Sequence, residues 1–136
     1  MNKYKISDIL HFEKYYFTDN NSFAKHFALV LLPSQIMNFQ NNLLCSVITS
    51  KEEKYYSLKL ESDKYCCFTK NSYACFKRRD IQNICDLSNN KQPVGQLDKN
   101  DFKKAFAIIK SVYYGSDDIY LMATVIREWK KIKSGF

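Results

Sequence analysis

The sequence predicts an α+β fold, in which a small barrel or strongly bent antiparallel sheet is followed by C-terminal helices. Short apolar stretches separated by turn residues fill the first two thirds of the chain, and apolar residues recur at helical spacing in the last third. With 46% hydrophobic and 15% aromatic residues, a chain of 136 residues has enough apolar surface for one core. We therefore expect a single domain over residues 1–136.

Six stretches are predicted to be strands because they are short and either continuously apolar or alternating. Residues 55–61 show the two-residue alternation of a half-buried strand. Pro33 ends the predicted strand over residues 27–32. Polar residues 18–24 are predicted to be a loop, residues 51–54 a charged turn, and residues 34–42 remain open, with a short helical turn as one interpretation. The predicted strands are residues 9–17, 27–32, 43–49, 55–61, 72–79 and 81–87.

Two amphipathic helices are predicted in the last third of the chain. Asp98 followed by Asp101 resembles a capping box, in which two residues at the start of a helix cap each other's backbone amides. Gly115 is a plausible C-terminal stop, and Asp117 or Asp118 can cap the second helix. The first apolar face comprises Phe102, Ala105, Phe106, Ile109, Val112 and Tyr113, and the second comprises Ile119, Met122, Val125, Ile126 and Trp129.

The chain is basic, with 21 basic and 14 acidic residues and a formal net charge of +7. Such an excess attracts polyanions such as nucleic acids, although it also occurs in proteins that bind none. The cations of the second helix, Arg127, Lys130, Lys131 and Lys133, have two interpretations. They are either a solvated helix end favoured by the helix dipole or a contact surface for RNA.

Cysteine and histidine usage argues against a disulfide scaffold, a metal site or a cofactor. Five cysteines without regular spacing predict reduced thiols in a cytoplasmic protein, with Cys45 and Cys75 buried on apolar strands. His11 and His26 lack partners at ligand spacing, and there is no glycine-rich phosphate loop. No apolar run approaches the ~20 residues of a membrane span, and residues 1–10 do not resemble a signal peptide.

Polar and basic side chains stand at the ends of three predicted strands. If these strands are neighbours, the side chains meet on one rim of the barrel. A titratable group, hydroxyls and cations together suit cleavage of RNA without a metal, because the 2′-OH attacks its own phosphorus while a side chain moves the proton. Singly, each residue also has an ordinary structural explanation. The residues are Lys25 and His26, Thr49 and Ser50, and Lys77, Arg78 and Arg79.

Four stretches together resemble the MazF/PemK family of toxin endoribonucleases. SDIL (residues 7–10) resembles the opening GDI strand of that family, and FTDNNSFAKHFALVL (residues 17–31) resembles its FTD…RRPALVL pattern. LLCSVITSK (residues 43–51) resembles its PITS strand end, and residues 94–115 resemble its closing G-x-L and helix. Residues 116–136 form an additional helix outside the matched motifs.

The resemblance implies an SH3-like β-barrel with flanking helices, usually a homodimer. It implies a metal-independent, sequence-selective toxin that cuts single-stranded RNA, here mRNA, and leaves a 2′,3′-cyclic phosphate. It also implies a cognate antitoxin protein whose tail covers the RNA groove. The lack of a long apolar run separately predicts no membrane partner.

The family's catalytic arginine falls on His26, its following proline on Phe27, and its catalytic threonine on Thr49. Histidine can move a proton near neutral pH, whereas arginine mainly holds charge. The family's Asp-Gln pair after a later strand is replaced by Lys77 and Arg78. These departures leave a second interpretation open, a non-catalytic SH3-like module that binds RNA or protein. The expected catalytic residues are His26, Thr49 and Arg79, and the expected phosphate-binding residues are Lys25, Ser50, Lys77 and Arg78.

Overall fold

The computed structural model describes residues 4–17, 22–33, 42–85, 92–113 and 119–136, with only the backbone described at residues 13–17, 22–26, 42, 84, 85, 113, 119 and 120. Within these ranges the chain forms seven strands, one 3₁₀ turn and two α-helices. The strands are β1 (Asp8–Phe17), β2 (Ser22–Leu32), β3 (Asn42–Thr49), β4 (Ser57–Leu60), β5 (Ser72–Cys75), β6 (Ile81–Cys85) and β7 (Gly95–Gln96). The 3₁₀ turn is Arg78–Asp80, and the helices are α1 (Lys99–Tyr113) and α2 (Ile119–Ser134).

The described strands form one antiparallel sheet in the order β4-β5-β3-β2-β1-β7, and β6 also pairs with β3. The end of β3 pairs with β5, where Thr49 lies opposite Tyr73, while its earlier part pairs with β6, where Ser46 lies opposite Ile81. The register is irregular between β1 and β2 and between β2 and β3, as expected for a strongly bent sheet. The curled antiparallel sheet and the two following helices confirm the predicted α+β class.

Both faces of the sheet are apolar, which explains why residues 27–32 are a continuous apolar run rather than an alternating one. Side chains along a strand alternate between the two faces, so β1, β2 and β3 each contribute to two clusters. The helix-side cluster includes Ile9, Leu29, Leu31, Ile48, Phe102, Phe106 and Trp129. The second cluster comprises Tyr4, Leu10, Phe12, Ala28, Val30, Leu43, Cys45 and Val47.

Trp129 of α2 contacts both the sheet and α1. Its side chain is fully buried, and its indole Nε1 donates a hydrogen bond of 2.9 Å to the carbonyl oxygen of Leu31 in β2. Its ring stacks on Phe102 of α1 with a centroid separation of 4.4 Å. An aromatic pair of this kind stabilises a fold by about 0.5–1.5 kcal/mol beyond the area it buries.

The start of α1 is capped as predicted in one respect and differently in another. The backbone amide of Asp101 donates to the carboxylate of Asp98 at 2.8 Å, which confirms Asp98 as the cap. The prediction of a reciprocal bond from the Asp98 amide to the Asp101 carboxylate is wrong. The Asp98 amide donates instead to the hydroxyl of Tyr65 at 3.2 Å. That hydroxyl donates in turn to Asp101 at 2.5 Å. Lys64 lies 2.6 Å from the Asp98 carboxylate and 3.2 Å from that of Asp101, so the segment before β5 is bound to α1.

Several predicted boundaries are wrong because pairing with neighbouring strands overrides local sequence pattern. β2 begins at Ser22, which lies opposite Phe17 of β1, so residues 22–24 are strand rather than loop. β4 begins only at Ser57, because Tyr56 has a positive φ of 53°. β5 ends at Cys75 rather than at residue 79, and the short strand β7 was not predicted.

Some predicted features lie outside the described residues. They are the stop at Gly115, the caps at Asp117 or Asp118, and residues 18–21, 34–41, 86 and 87. Of the helices that the structure describes, neither has the length and apolar character needed to cross a lipid bilayer.

Candidate functional site

A cavity of 330 Å³ opens at the end of β3 and contains two of the residues predicted for the site, Thr49 and Ser50. Its volume falls within the range of about 300–1,000 Å³ that is typical of ligand sites. Hydroxyl side chains and one lysine form its polar part, and aromatic and aliphatic side chains form the rest. We call it the β3 cavity, and its lining residues are Phe27, Ile48, Thr49, Ser50, Phe68, Thr69, Lys70 and Ser72.

Three segments build the apolar wall of the β3 cavity. Phe27 of β2 lies opposite Ile48 of β3 in the antiparallel register. Phe68, from the segment between β4 and β5, meets Phe27 edge to face, with centroids 4.9 Å apart and an interplanar angle of 79°. His11 of β1 also contacts Phe27, with its ring centroid 4.8 Å from that of Phe27. The aromatic wall is therefore held by packing rather than free to collapse.

Thr49 offers a hydroxyl proton to the β3 cavity. Its Oγ1 accepts a hydrogen bond of 3.1 Å from the backbone amide of Lys51, a local turn that ends the strand. Because this bond uses only a lone pair, the hydroxyl proton remains available to a ligand oxygen. Ser72 differs, since its hydroxyl already donates to the carbonyl of Lys70 at 3.1 Å. Lys70 is exposed and brings a positive charge to the same opening.

The backbone register brings His26 beside Thr49. Phe27 lies opposite Ile48 in an antiparallel pair, so the next position on β2, His26, is opposed to the next position on β3, Thr49. Lys25 follows one residue farther along β2. Only the backbone of Lys25 and His26 is described, so the structure gives their places in the sheet and nothing of their side chains.

Lys77, Arg78 and Arg79 lie at the other end of β5. Tyr73, at the start of β5, lies opposite Thr49, and Lys77 is four residues farther along, a distance of about 13 Å in an extended chain. Lys77 forms an ion pair of 3.1 Å with Glu53. Arg78 donates to the carbonyl of Ile81 at 3.0 Å, and Arg79 is exposed. The three cations therefore do not line the β3 cavity.

Hydrogen bonding and burial shift the pKa values of the described ionisable groups near this end of β5. A hydrogen bond from Lys77 lowers the pKa of the Glu53 carboxylate, and burial raises the pKa of Asp80. Burial also raises the pKa of the Cys75 thiol to about 12, so this cysteine is a poor nucleophile at neutral pH. Cys45 and Cys75 are buried as expected, whereas Cys66 is exposed. Within the described ranges, no group of three or more histidine, cysteine or acidic side chains is arranged to hold a metal ion.

Four residues that line the β3 cavity were not predicted as site residues, namely Phe68, Thr69, Lys70 and Ser72. They lie in or beside a segment without helical or strand periodicity, and only its pairing through β5 brings it to the end of β3. A cluster of hydroxyl residues around a lysine, T-K-N-S at residues 69–72, is the only local signal. No sequence pattern predicts the contact of His11 with Phe27, because it depends on cross-strand register.

No known family model and no curated protein matches this chain. The chemical interpretation of the β3 cavity therefore depends on its own residues and on the motifs that resemble the MazF/PemK family.

Proposed function

We propose that this protein is the toxin component of a toxin-antitoxin system, an endoribonuclease that cuts single-stranded RNA without a metal. The observation that carries the proposal is the β3 cavity, where Thr49, Ser50 and Lys70 meet beside the β2 position of His26. Hydroxyls and a lysine suit a phosphate, and an aromatic wall suits a base or ribose. The motifs that resemble the MazF/PemK family support the same reading and an SH3-like barrel.

The proposed reaction is attack by the RNA's own 2′-oxygen on the adjacent phosphorus. A bond forms between the 2′-oxygen and phosphorus, and the bond between phosphorus and the 5′-oxygen breaks, which leaves a 2′,3′-cyclic phosphate. One side chain removes the 2′-OH proton and a proton returns to the leaving 5′-oxygen. His26 is assigned the proton transfer, because unperturbed histidine titrates near pH 6.5.

Thr49 and Lys70 are assigned to the scissile phosphate. The hydroxyl of Thr49 donates to a phosphate oxygen, while the Lys70 ammonium stabilises the charge that develops on it. Ser50 and Lys25 bind the same or the adjacent phosphate. Phe27 and Phe68 contact the flanking ribose or base.

Lys77, Arg78 and Arg79 are assigned to phosphates farther along the strand. None of the three lines the β3 cavity, so they are not assigned to the scissile group. Lys77 already pairs with Glu53 and Arg78 already donates to the Ile81 carbonyl. We therefore assign the main contact with the RNA backbone, rather than a catalytic contact, to the exposed Arg79.

The second candidate is a non-catalytic SH3-like module that binds RNA or protein. One observation favours it: among the described residues, those lining the β3 cavity include one cation and no group that titrates near neutral pH. In that case the site would bind a phosphate backbone and leave it intact.

The experiment is a cleavage and binding assay on mixed-sequence single-stranded RNA in EDTA, using wild type, His26→Ala, Thr49→Val and Lys70→Ala. Thr49→Val keeps the β-branched shape and removes only the hydroxyl. The matched control is Lys103→Ala, which removes an exposed lysine of α1. Cleavage that falls at least a hundredfold in the site variants and persists in the control supports the proposal. Bound but uncut RNA supports the second candidate, and full activity in both His26→Ala and Thr49→Val contradicts the site.

The proposal extends to a homodimer in the cytoplasm and to a cognate antitoxin protein that covers the RNA site. These parts rest on the resemblance to the MazF/PemK family. The toxin activity is tested by expression in a growing bacterial culture: a toxin arrests growth, the Thr49→Val variant does not, and a binding module arrests growth in neither form.

A further inference from the structure

A second cavity, of 410 Å³, lies between α1 and α2 and shares no lining residue with the β3 cavity. Its lining is mostly apolar, with Phe106 of α1 and Ile126 of α2 as the floor. Three lysines stand around this floor, one from α1 and two from α2. We call this cavity the interhelical cleft, and its remaining lining residues are Lys110, Lys130, Lys133 and Ser134.

The lysines of the interhelical cleft have no acidic partner among the described residues. The ammonium groups of Lys110 and Lys133 lie 4.6 Å and 5.5 Å from the centroid of the Phe106 ring. Lys131 on the same helix differs, because its ammonium lies 2.9 Å from the Glu128 carboxylate. All three lysines that line the cleft therefore lack the counter-charge that Lys131 has.

The positive charge around the interhelical cleft argues against a second copy of this chain as its occupant. Residues 99–136 contain eight basic and four acidic side chains, which gives +4 of the chain's +7. A second copy of this chain docking symmetrically on the same face would bring like charges together, which is unfavourable. The helix dipole accounts for a lysine in the last turn of each helix. It does not account for the apolar surface left open between them.

We propose that the interhelical cleft binds an acidic amphipathic helical peptide of a partner protein. Aliphatic side chains of the peptide would lie on the half-buried Ile126 and along the lysine stems, which are themselves apolar. Its carboxylates would pair with Lys110, Lys130 and Lys133. This inference does not depend on the ribonuclease activity proposed for the β3 cavity.

The geometry favours a peptide over RNA. Nucleic-acid bases bind to proteins by stacking on exposed aromatic faces. Phe106 is only 3% exposed, and two lysine ammonium groups stand near its ring, so it offers no open face to a base. Small aliphatic groups can enter an apolar cleft of this form, and carboxylates satisfy its rim.

The test is a binding measurement by fluorescence anisotropy at about 0.15 M salt, where distant charges are screened. The probe is a labelled acidic peptide of about 18 residues with leucines at spacings of three and four and glutamates beside them. A second probe replaces the leucines with serine at equal charge. The protein variants are Lys130→Glu/Lys133→Glu and, as a control with equal charge change, Lys103→Glu/Lys131→Glu, both at exposed lysines.

The proposal predicts that the leucine peptide binds wild type and the control variant. Binding should weaken on the order of tenfold or more in Lys130→Glu/Lys133→Glu and in the serine peptide. Equal weakening in both protein variants would mean that net charge alone attracts the peptide, and would overturn the proposal. Equal binding of the serine peptide would overturn it too, as would displacement of the peptide by single-stranded RNA with the same dependence on Lys130 and Lys133. None of these measurements depends on cleavage of RNA.

Discussion

Removal of one oxygen atom, in Tyr65→Phe, should destabilise the whole domain. The Tyr65 hydroxyl donates to the Asp101 carboxylate at 2.5 Å and accepts from the Asp98 amide at 3.2 Å. It therefore joins the segment that carries Phe68 to the start of α1. Phenylalanine keeps the ring and its packing, so the substitution isolates the two hydrogen bonds.

The expected loss can be worked out from these contacts. A hydrogen bond to a charged group stabilises the folded state by about 1.5–3 kcal/mol, and a buried polar group left without a partner costs a similar amount. The Asp101 side chain is only 6% exposed and would retain Lys64 at 3.2 Å as its remaining partner. We therefore expect a loss of about 2 kcal/mol. At about 4 °C per kcal/mol for a domain of this size, Tm should fall by roughly 8 °C.

The assay is thermal and urea unfolding of the wild type, Tyr65→Phe and the control Tyr55→Phe. Tyr55 is 61% exposed, so loss of its hydroxyl should change stability by less than about 0.5 kcal/mol. A Tyr65→Phe variant as stable as Tyr55→Phe would refute the reasoning, because the bond to the buried carboxylate would then contribute nothing. Phe68 lines the β3 cavity, so the same variant should also weaken RNA binding there.

Three further outcomes are expected. Trp129→Phe should lower the free energy of unfolding in urea by about 2–4 kcal/mol, because it shrinks a fully buried ring and leaves the Leu31 carbonyl without its indole donor; an unchanged midpoint would contradict this. Burial acts to raise the pKa of Asp98, but hydrogen bonding to Lys64 holds it below its ordinary value of 3.8. The ionised carboxylate therefore stabilises the fold above pH 3.8, and this contribution is lost as the pH falls through the lowered pKa. The Tm advantage of wild type over Asp98→Asn, which keeps a good cap, should be small at pH 6 and absent at pH 2. Finally, Cys75, with a pKa of about 12, should resist iodoacetamide at pH 8 until urea is added, as read by mass spectrometry of its peptide.

Much of the fold could be predicted because its signals are local. The helical spacing of Phe102, Phe106 and Trp129 predicted helices whose apolar faces the structure buries. The continuous apolar run at residues 27–32 predicted a buried strand, and both faces of the sheet are indeed covered there. Asp98 before α1 carried enough information to predict the cap.

The predictions that were wrong depend on partners that are distant in the sequence. The second half of the capping box was wrong because Tyr65, more than thirty residues before Asp98, is a better partner than Asp101. β5 ends at Cys75 because the chain turns there to pair β6 with the same edge of β3. No local sequence pattern predicts either the hydrogen bond to Tyr65 or the end of β5 at Cys75.

The predictions for the candidate site also depend on whether the information is local or comes from strand pairing. Strand-end position alone selected Thr49 and Ser50, which line the β3 cavity. The same criterion also selected Lys77, but antiparallel pairing of β5 with β3 sends the end of β5 away from the end of β3. Lys70 was not predicted because it lies in a segment without periodicity, which only the pairing of β5 with β3 brings to the cavity.

The measurement that tests the central claim most directly compares one mixed-sequence single-stranded RNA with its fully 2′-O-methylated counterpart, both in EDTA. If the RNA's own 2′-oxygen is the nucleophile, the unmodified strand will be cut to fragments ending in a 2′,3′-cyclic phosphate. The methylated strand will be bound but stay whole. Cleavage of the methylated strand would contradict the mechanism, and binding of both strands without cleavage of either would contradict the assignment of this protein as an endoribonuclease.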